Sequence, residues 1–160
     1  MKAIYAGSFD CYTNGHHHIV RQACRVFEEL HIVVADNINK KRIFPPEDMV
    51  KVILQSLEED GITNCRVCAY NRLIADYCNE NQIDFLVRGL RNSMDYSYEE
   101  NVASVNKLIN PRLESIYFRA DNAAISSTMV REMLTYGRDV SSYVPGPVWR
   151  YLQTQNLKKI

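Results

Sequence analysis

A turn rich in small and polar residues runs into three consecutive histidines: Gly7-Ser8-Phe9-Asp10-Cys11-Tyr12-Thr13-Asn14-Gly15-His16-His17-His18. Residues of these types could do two kinds of chemistry. Three imidazoles could ligate a metal. A glycine-bearing turn that opens a helix could instead cradle an anion, because free N–H groups and the positive end of the helix dipole favour one there. Helix geometry separates the two. Successive helical side chains point about 100° apart, so three neighbouring histidines cannot share one ion. His16, in the first turn, is best placed to donate to a phosphate, which leaves His17 and His18 as surface or packing residues.

Similar clusters recur four more times: Asp36 to Arg42 with Lys40 and Lys41, Asn71-Arg72-Leu73, Arg88-Gly89-Leu90-Arg91, and Arg119 followed by Asn122 to Thr128. Each follows an apolar strand-like run. The runs are KAIYA (2–6), HIVVA (31–35), RVCAY (66–70), DFLVR (84–88) and ESIYF (114–118). Between and after them lie helix-period stretches over 15–27, 45–59, 72–81, 94–110, 127–137 and 147–155. Strands alternating with helices predict parallel βαβ units. The expected architecture is α/β, one open parallel five-stranded Rossmann-like sheet with helices on both faces, in a single domain over 1–160. Ligands of such sheets bind beyond the carboxyl ends of the strands, where these clusters fall. They outline a phosphate-rich ligand.

The long helical stretch carries two stripes. Asp95, Glu99, Val102 and Asn106 fall on one that can line a site, and Tyr98, Val102, Val105 and Ile109 on an apolar one expected to pack. Composition narrows the partners. Nineteen Lys and Arg balance nineteen Asp and Glu, which argues against nucleic-acid binding by charge alone. No apolar run approaches the roughly 20 residues of a membrane span, and the first residues carry no long apolar region of a signal peptide. The cytoplasm is the expected location.

The odd number of cysteines (Cys11, Cys24, Cys65, Cys68 and Cys78) fits free thiols in a reducing compartment. Cys65 and Cys68 form a C-x-x-C, but no second ligand pair accompanies it as zinc would require. It also lies in a strand-like run rather than at the helix start of a redox pair. No metal-ligating residues are assigned. For Cys11 two readings stand: a thiol activated by Lys40 and the helix end, or a small buried side chain.

GSFDCYTNGH resembles the G-[TS]-F-D-P-x-T-N-G-H signature of the bacterial phosphopantetheine adenylyltransferases, nucleotidylyltransferases with a TxGH or HxGH motif. Lys40-Lys41, RGLR (88–91), Asp95 with Tyr98-Glu99, and ISST (125–128) follow at that family's spacing. The resemblance implies transfer of AMP from ATP to 4′-phosphopantetheine, giving dephospho-coenzyme A and pyrophosphate, by direct attack without a covalent enzyme intermediate. It implies that His16 stabilises the transition state and that Lys40 binds phosphates of acceptor and transition state. Ser8, Phe9, His16, Gly89, Leu90, Arg91, Glu99, Asn122, Ala123, Ala124, Ile125, Ser126, Ser127 and Thr128 would contact ATP. Ser8, Lys40, Ile74, Arg88 and Asn106 would contact 4′-phosphopantetheine. Mg²⁺ would accompany ATP, coenzyme A could bind as a feedback ligand, and the expected assembly is a homohexamer. Cys11 departs from the family's Pro, and Asn122-Ala123-Ala124 stands where many relatives carry an aromatic residue. An enzyme acting on nicotinamide mononucleotide or a polyol phosphate, and a non-catalytic nucleotide-binding module, are the rival readings. RGLR and TNGH argue against the first, and His16, Lys40 and the two arginines against the second.

Overall fold

Strands buried on both faces read as near-continuous apolar runs, and the central strand and its neighbour do so here, with His31 the one polar residue inside them. The computed structural model describes residues 1–156, so the last four residues of the expected 1–160 domain lie outside the described residues. In β1 (Lys2–Gly7) residues Ala3 to Ala6 are buried, and in β2 (Glu29–Ala35) residues Leu30 to Val34 are. Around them lie β3 (Cys65–Tyr70), β4 (Phe85–Leu90) and β5 (Glu114–Arg119). All pairings are parallel, in the order β3-β2-β1-β4-β5.

The helices are α1 (Asn14–Cys24), α2 (Pro46–Glu59), α3 (Ile74–Asn81), α4 (Ser93–Ile109), α5 (Ser127–Thr135) and α6 (Gly146–Thr154). Side chains alternate across each strand, and so divide into two cores. Ala3, Tyr5, Leu30, Ile32, Val34 and Val87 pack with α1, α2, α5 and α6 on one face. Ile4, Ala6, Val33 and Leu86 pack with Tyr77, Cys78 and Ile83 on the other. The α/β fold with helices on both faces is thus as expected.

Two expectations are corrected. β4 does not stop at Arg88: its ladder to β5 runs on to Leu90 opposite Arg119, so Arg88 and Gly89 stand within the strand. The stripe Tyr98, Val105 and Ile109 does not pack in the protomer either. Among the described residues α4 has none buried; Tyr98 is 62% and Val105 57% exposed, and Met94 and Leu108 join them at the surface. The helix turns its other stripe to the sheet.

Candidate active site

The sheet opens where the connections change direction. From β1 the chain passes to β2 and β3 on one side; it then crosses to β4 and β5 on the other. The β1–β4 ladder ends at Tyr5 opposite Val87, whereas β1–β2 runs on to Gly7 opposite Val34. Beyond Tyr5 and Val87 the two strands part, and the crevice there is the ligand position of open α/β sheets. Two cavities occupy it. The first, about 290 Å³, is walled by the β1 turn, the start of α1, β4 and the loop into α5. The second, about 640 Å³, lies between the loops after β2 and β3 and the α4 flank. Ala6 and Arg88 belong to both walls, so the cavities meet at that pair.

His16 is fixed in the first cavity by its own helix cap. Thr13, the N-cap of α1, accepts from the His16 backbone N–H through its hydroxyl. In return the Thr13 backbone N–H donates to His16 Nδ1 at 3.0 Å. This is a capping box with histidine in the place of the usual Glu or Gln. An Nδ1 that accepts cannot carry the proton, so the neutral ring bears it on Nε2. Burial, reinforced by the Arg91 charge, pulls the imidazole down to about 4; at neutral pH the ring is an uncharged donor. Its orientation is set on three sides. Tyr12 stacks on it at 5.7 Å and 21°, and the ring of Phe9 meets it edge-on at 4.9 Å and 85°. Phe9 itself takes φ 44°, a left-handed conformation uncommon for a bulky residue, and lays its ring over the Gly7 backbone. A Cβ at Gly7 would stand 3.2 Å from that ring, so a side chain there would press on the aromatic cage.

The three histidines diverge as helix geometry requires. His17 points away from the cavity into the protein, not to the surface, bonded to the Tyr12 hydroxyl at 3.0 Å and to Asp60 at 2.8 Å. His18 pairs with Asp121 at 2.9 Å. Among the described residues no group of three His, Cys, Asp or Glu side chains could hold a metal.

Arg88 grips Glu99 through Nε at 2.6 Å and Nη2 at 2.8 Å, and donates from Nη1 to the Ala6 carbonyl at 3.0 Å, the oxygen freed where the ladder ends. Five N–H donors less three leaves two for a ligand. Arg91 pairs with Asp95 at 2.9 Å and lines the first cavity alone. The site stripe of α4 is divided between the cavities: Asp95 and Glu99 face the first, Val102 and Asn106 the second. A Cβ at Gly89 would stand 3.1 Å from the Ile19 side chain of α1, so the glycine lets α1 lie close against β4.

Of the residues singled out in the sequence, Phe9, His16, Gly89, Arg91, Glu99, Asn122, Ile125, Ser126 and Ser127 line the first cavity, Ile74 and Asn106 the second, and Arg88 both. Ser126 also caps α5, accepting from Met129 N–H at 3.1 Å. Ser8 and Lys40 are exposed, and neither they nor Leu90, Ala123, Ala124 and Thr128 form part of the walls. Thr13 of the first turn and Asp36 of the second cluster also line the first and second cavities, whereas sequence reasoning missed Tyr5 and Ile19 in the first and Tyr70 in the second. It also missed the clasp on the loop bearing Lys40. Buried Asp10 accepts from the Ile43 and Phe44 backbone N–H groups at 3.0 and 2.9 Å, and Arg42 donates to the Ala35 and Phe44 carbonyls at 3.2 and 3.1 Å.

Cys11 is fully buried, and burial foremost pushes its thiol up to about 12. The activated reading is therefore set aside in favour of packing. Brief iodoacetamide treatment of the native protein is expected to leave the tryptic peptide spanning 3–21 unlabelled, which mass spectrometry reads directly.

A cytidylyltransferase-like family model matches residues 4–133. The phosphopantetheine adenylyltransferase of Leptospira biflexa is 39% identical over 148 residues, covering 91% of each chain. That of Lacticaseibacillus paracasei is 36% identical over 149 residues, covering 91% of this chain and 88% of the relative. Among solved structures, a bifunctional NMN adenylyltransferase/ADP ribose pyrophosphatase from Francisella tularensis superposes with a TM-score of 0.76 at 14% identity, over 98% of this chain and 50% of that one. At that identity the likeness speaks for the fold.

Proposed function

The chain belongs to the phosphopantetheine adenylyltransferases within the cytidylyltransferase-like family, and from that membership we infer that it transfers AMP from ATP to 4′-phosphopantetheine, releasing pyrophosphate and dephospho-coenzyme A in coenzyme A biosynthesis. The observation that carries this reading is the pair of cavities joined at Ala6 and Arg88. One cavity holds the nucleotide beside His16 and Arg91. The other, with apolar Leu73, Ile74 and Val102 and polar Asn106 in its wall, suits a pantetheine arm whose phosphate reaches Arg88.

The chemistry asks little of a base. A phosphate monoester is already largely dianionic near pH 7, its second pKa being about 6. Its oxygen attacks the α-phosphorus, the bond to the bridging oxygen breaks, and pyrophosphate departs with that electron pair. Catalysis is then positioning and neutralisation of the charge that spreads over the α-phosphoryl oxygens. A neutral His16 Nε2–H, held by the capping box, supplies a donor that needs no reorientation. Lys40, on the loop clasped by Asp10 and Arg42, is within the segment that closes on the phosphates in this reading.

Mg²⁺ enters in this reading as the ATP complex. The cavity carboxylates Asp95 and Glu99 are each engaged by an arginine, so an ion arriving with ATP would be held through the nucleotide's phosphates rather than by these side chains, and it would supply neutralisation of phosphate charge. The exposed α4 face with Met94, Tyr98, Val105 and Leu108 supports self-association, and we propose a homohexamer in the cytoplasm, with coenzyme A as a feedback ligand of the same crevice. Light scattering on the purified protein measures the assembly, and Tyr98→Glu is expected to reduce it.

The reading is tested by pyrophosphate release. Turnover is expected only with ATP, Mg²⁺ and 4′-phosphopantetheine together. Turnover on nicotinamide mononucleotide with none on phosphopantetheine would overturn it.

A further inference from the structure

The last residue of α1 and the first of β3 are both cysteines, and the sulfurs of Cys24 and Cys65 lie 3.2 Å apart. Both are half-buried and therefore within reach of small reagents. The C-x-x-C formed by Cys65 and Cys68 is not a dithiol. Strand side chains alternate faces, so Cys65 packs with the α1 side of the sheet, while Cys68 packs on the other face, 3.5 Å from the Tyr77 hydroxyl. The partner of Cys65 is 41 residues earlier in the chain. Neither sulfur belongs to the crevice, since β3 begins at the end of the sheet opposite the carboxyl ends that bear the cavities.

We propose that Cys24 and Cys65 form a dithiol site that takes low-molecular-weight disulfides as oxidants and closes reversibly into an intramolecular disulfide. A hydrogen bond joins the two sulfurs, and it holds Cys24 below the usual thiol range and Cys65 above it. Cys24 is therefore the nucleophile, the thiolate being the reactive form. Its thiolate, having released its proton to water, attacks one sulfur of the oxidant. A mixed disulfide forms, and the first thiolate leaves and takes up a proton. Cys65 then attacks the Cys24 sulfur, its proton passing to the second departing thiolate. Two protein thiols are oxidised to one disulfide and one small disulfide is reduced to two thiols.

Trypsin separates the relevant peptides. Cys24 lies in 22–25, Cys65 in 52–66 and Cys68 in 67–72. After incubation of the native protein with oxidised glutathione, non-reducing mass spectrometry is expected to find 22–25 joined to 52–66, reversed by dithiothreitol. Closing the long loop is expected to raise Tm by roughly 5 °C or more over the reduced protein. Cys65→Ser, which cannot close the bridge, is expected to trap a glutathione adduct on Cys24. A cross-link from Cys65 to Cys68, or an adduct on Cys24 of the unsubstituted protein that never closes, would overturn the proposal.

Discussion

His16→Ala is expected to lower kcat by roughly 10²–10³-fold, the loss typical of one preorganised donor aimed at developing charge, while the KM for ATP moves by only a few fold. The asymmetry follows from the site: Arg91 and the α5 loop remain to hold the nucleotide, and only the donor facing the α-phosphoryl group is lost. Because burial holds the His16 imidazole down to about 4, the ratio of wild-type to His16→Ala kcat is expected to stay constant from pH 6 to 9. A ratio that climbs as pH falls through 6.5 would show that the ring acts as an imidazolium. The same lowered value bears on folding. Between the ordinary value and about 4 the unfolded chain binds a proton that the folded ring refuses. Stability from this group is therefore complete above pH 6.5 and falls away as the pH drops toward 4. His17→Ala provides the contrast. Its ring bridges Tyr12 and Asp60, so the loss appears in Tm and urea midpoint, about 1–3 kcal/mol for partners left unsatisfied, with kcat nearly intact. Equal kcat losses at both positions would contradict the assignment.

The alternation of apolar runs and helical stretches made the sheet and most helix limits legible, because burial on both faces leaves the central strands almost wholly apolar, His31 being the buried polar exception. The crevice was legible for a related reason: the clusters after β1, β4 and β5 are polar only where the strands part. Contacts between distant segments were not. Nothing local to Asp10 says that its carboxylate holds the backbone of Ile43 and Phe44, and nothing in C-x-x-C says that Cys65 turns to Cys24. The stripe Tyr98, Val105 and Ile109 has the period of a packed face, but period alone does not name what a face packs against. The protomer leaves it exposed. His17 shows the converse, since a residue excluded from the site by helix geometry was free to be buried as well as exposed.

Arg88→Ala is expected to raise the KM for both substrates, whereas Arg91→Ala raises that for ATP alone. Three apart in sequence, the two arginines look equivalent, and the family resemblance divides them between the acceptor phosphate and ATP. Their surroundings divide them differently: Arg88 stands in the wall of both cavities, Arg91 in the first only. A charge-assisted hydrogen bond contributes about 1.5–3 kcal/mol, or roughly 10- to 100-fold in binding, so each KM is expected to rise by at least about tenfold in Arg88→Ala. Truncation also strands Glu99, whose side chain is only 12% exposed and has Arg88 as its ion-pair partner. An unpaired carboxylate there repels incoming phosphates. Arg88→Ala activity is accordingly expected to recover in part in the double variant Arg88→Ala/Glu99→Gln, which removes the stranded charge while keeping the shape. Steady-state kinetics with each substrate varied at saturation of the other separates the cases. A rise confined to 4′-phosphopantetheine would restrict Arg88 to the acceptor, and no recovery in the double variant would mean that the pair acts through position rather than charge.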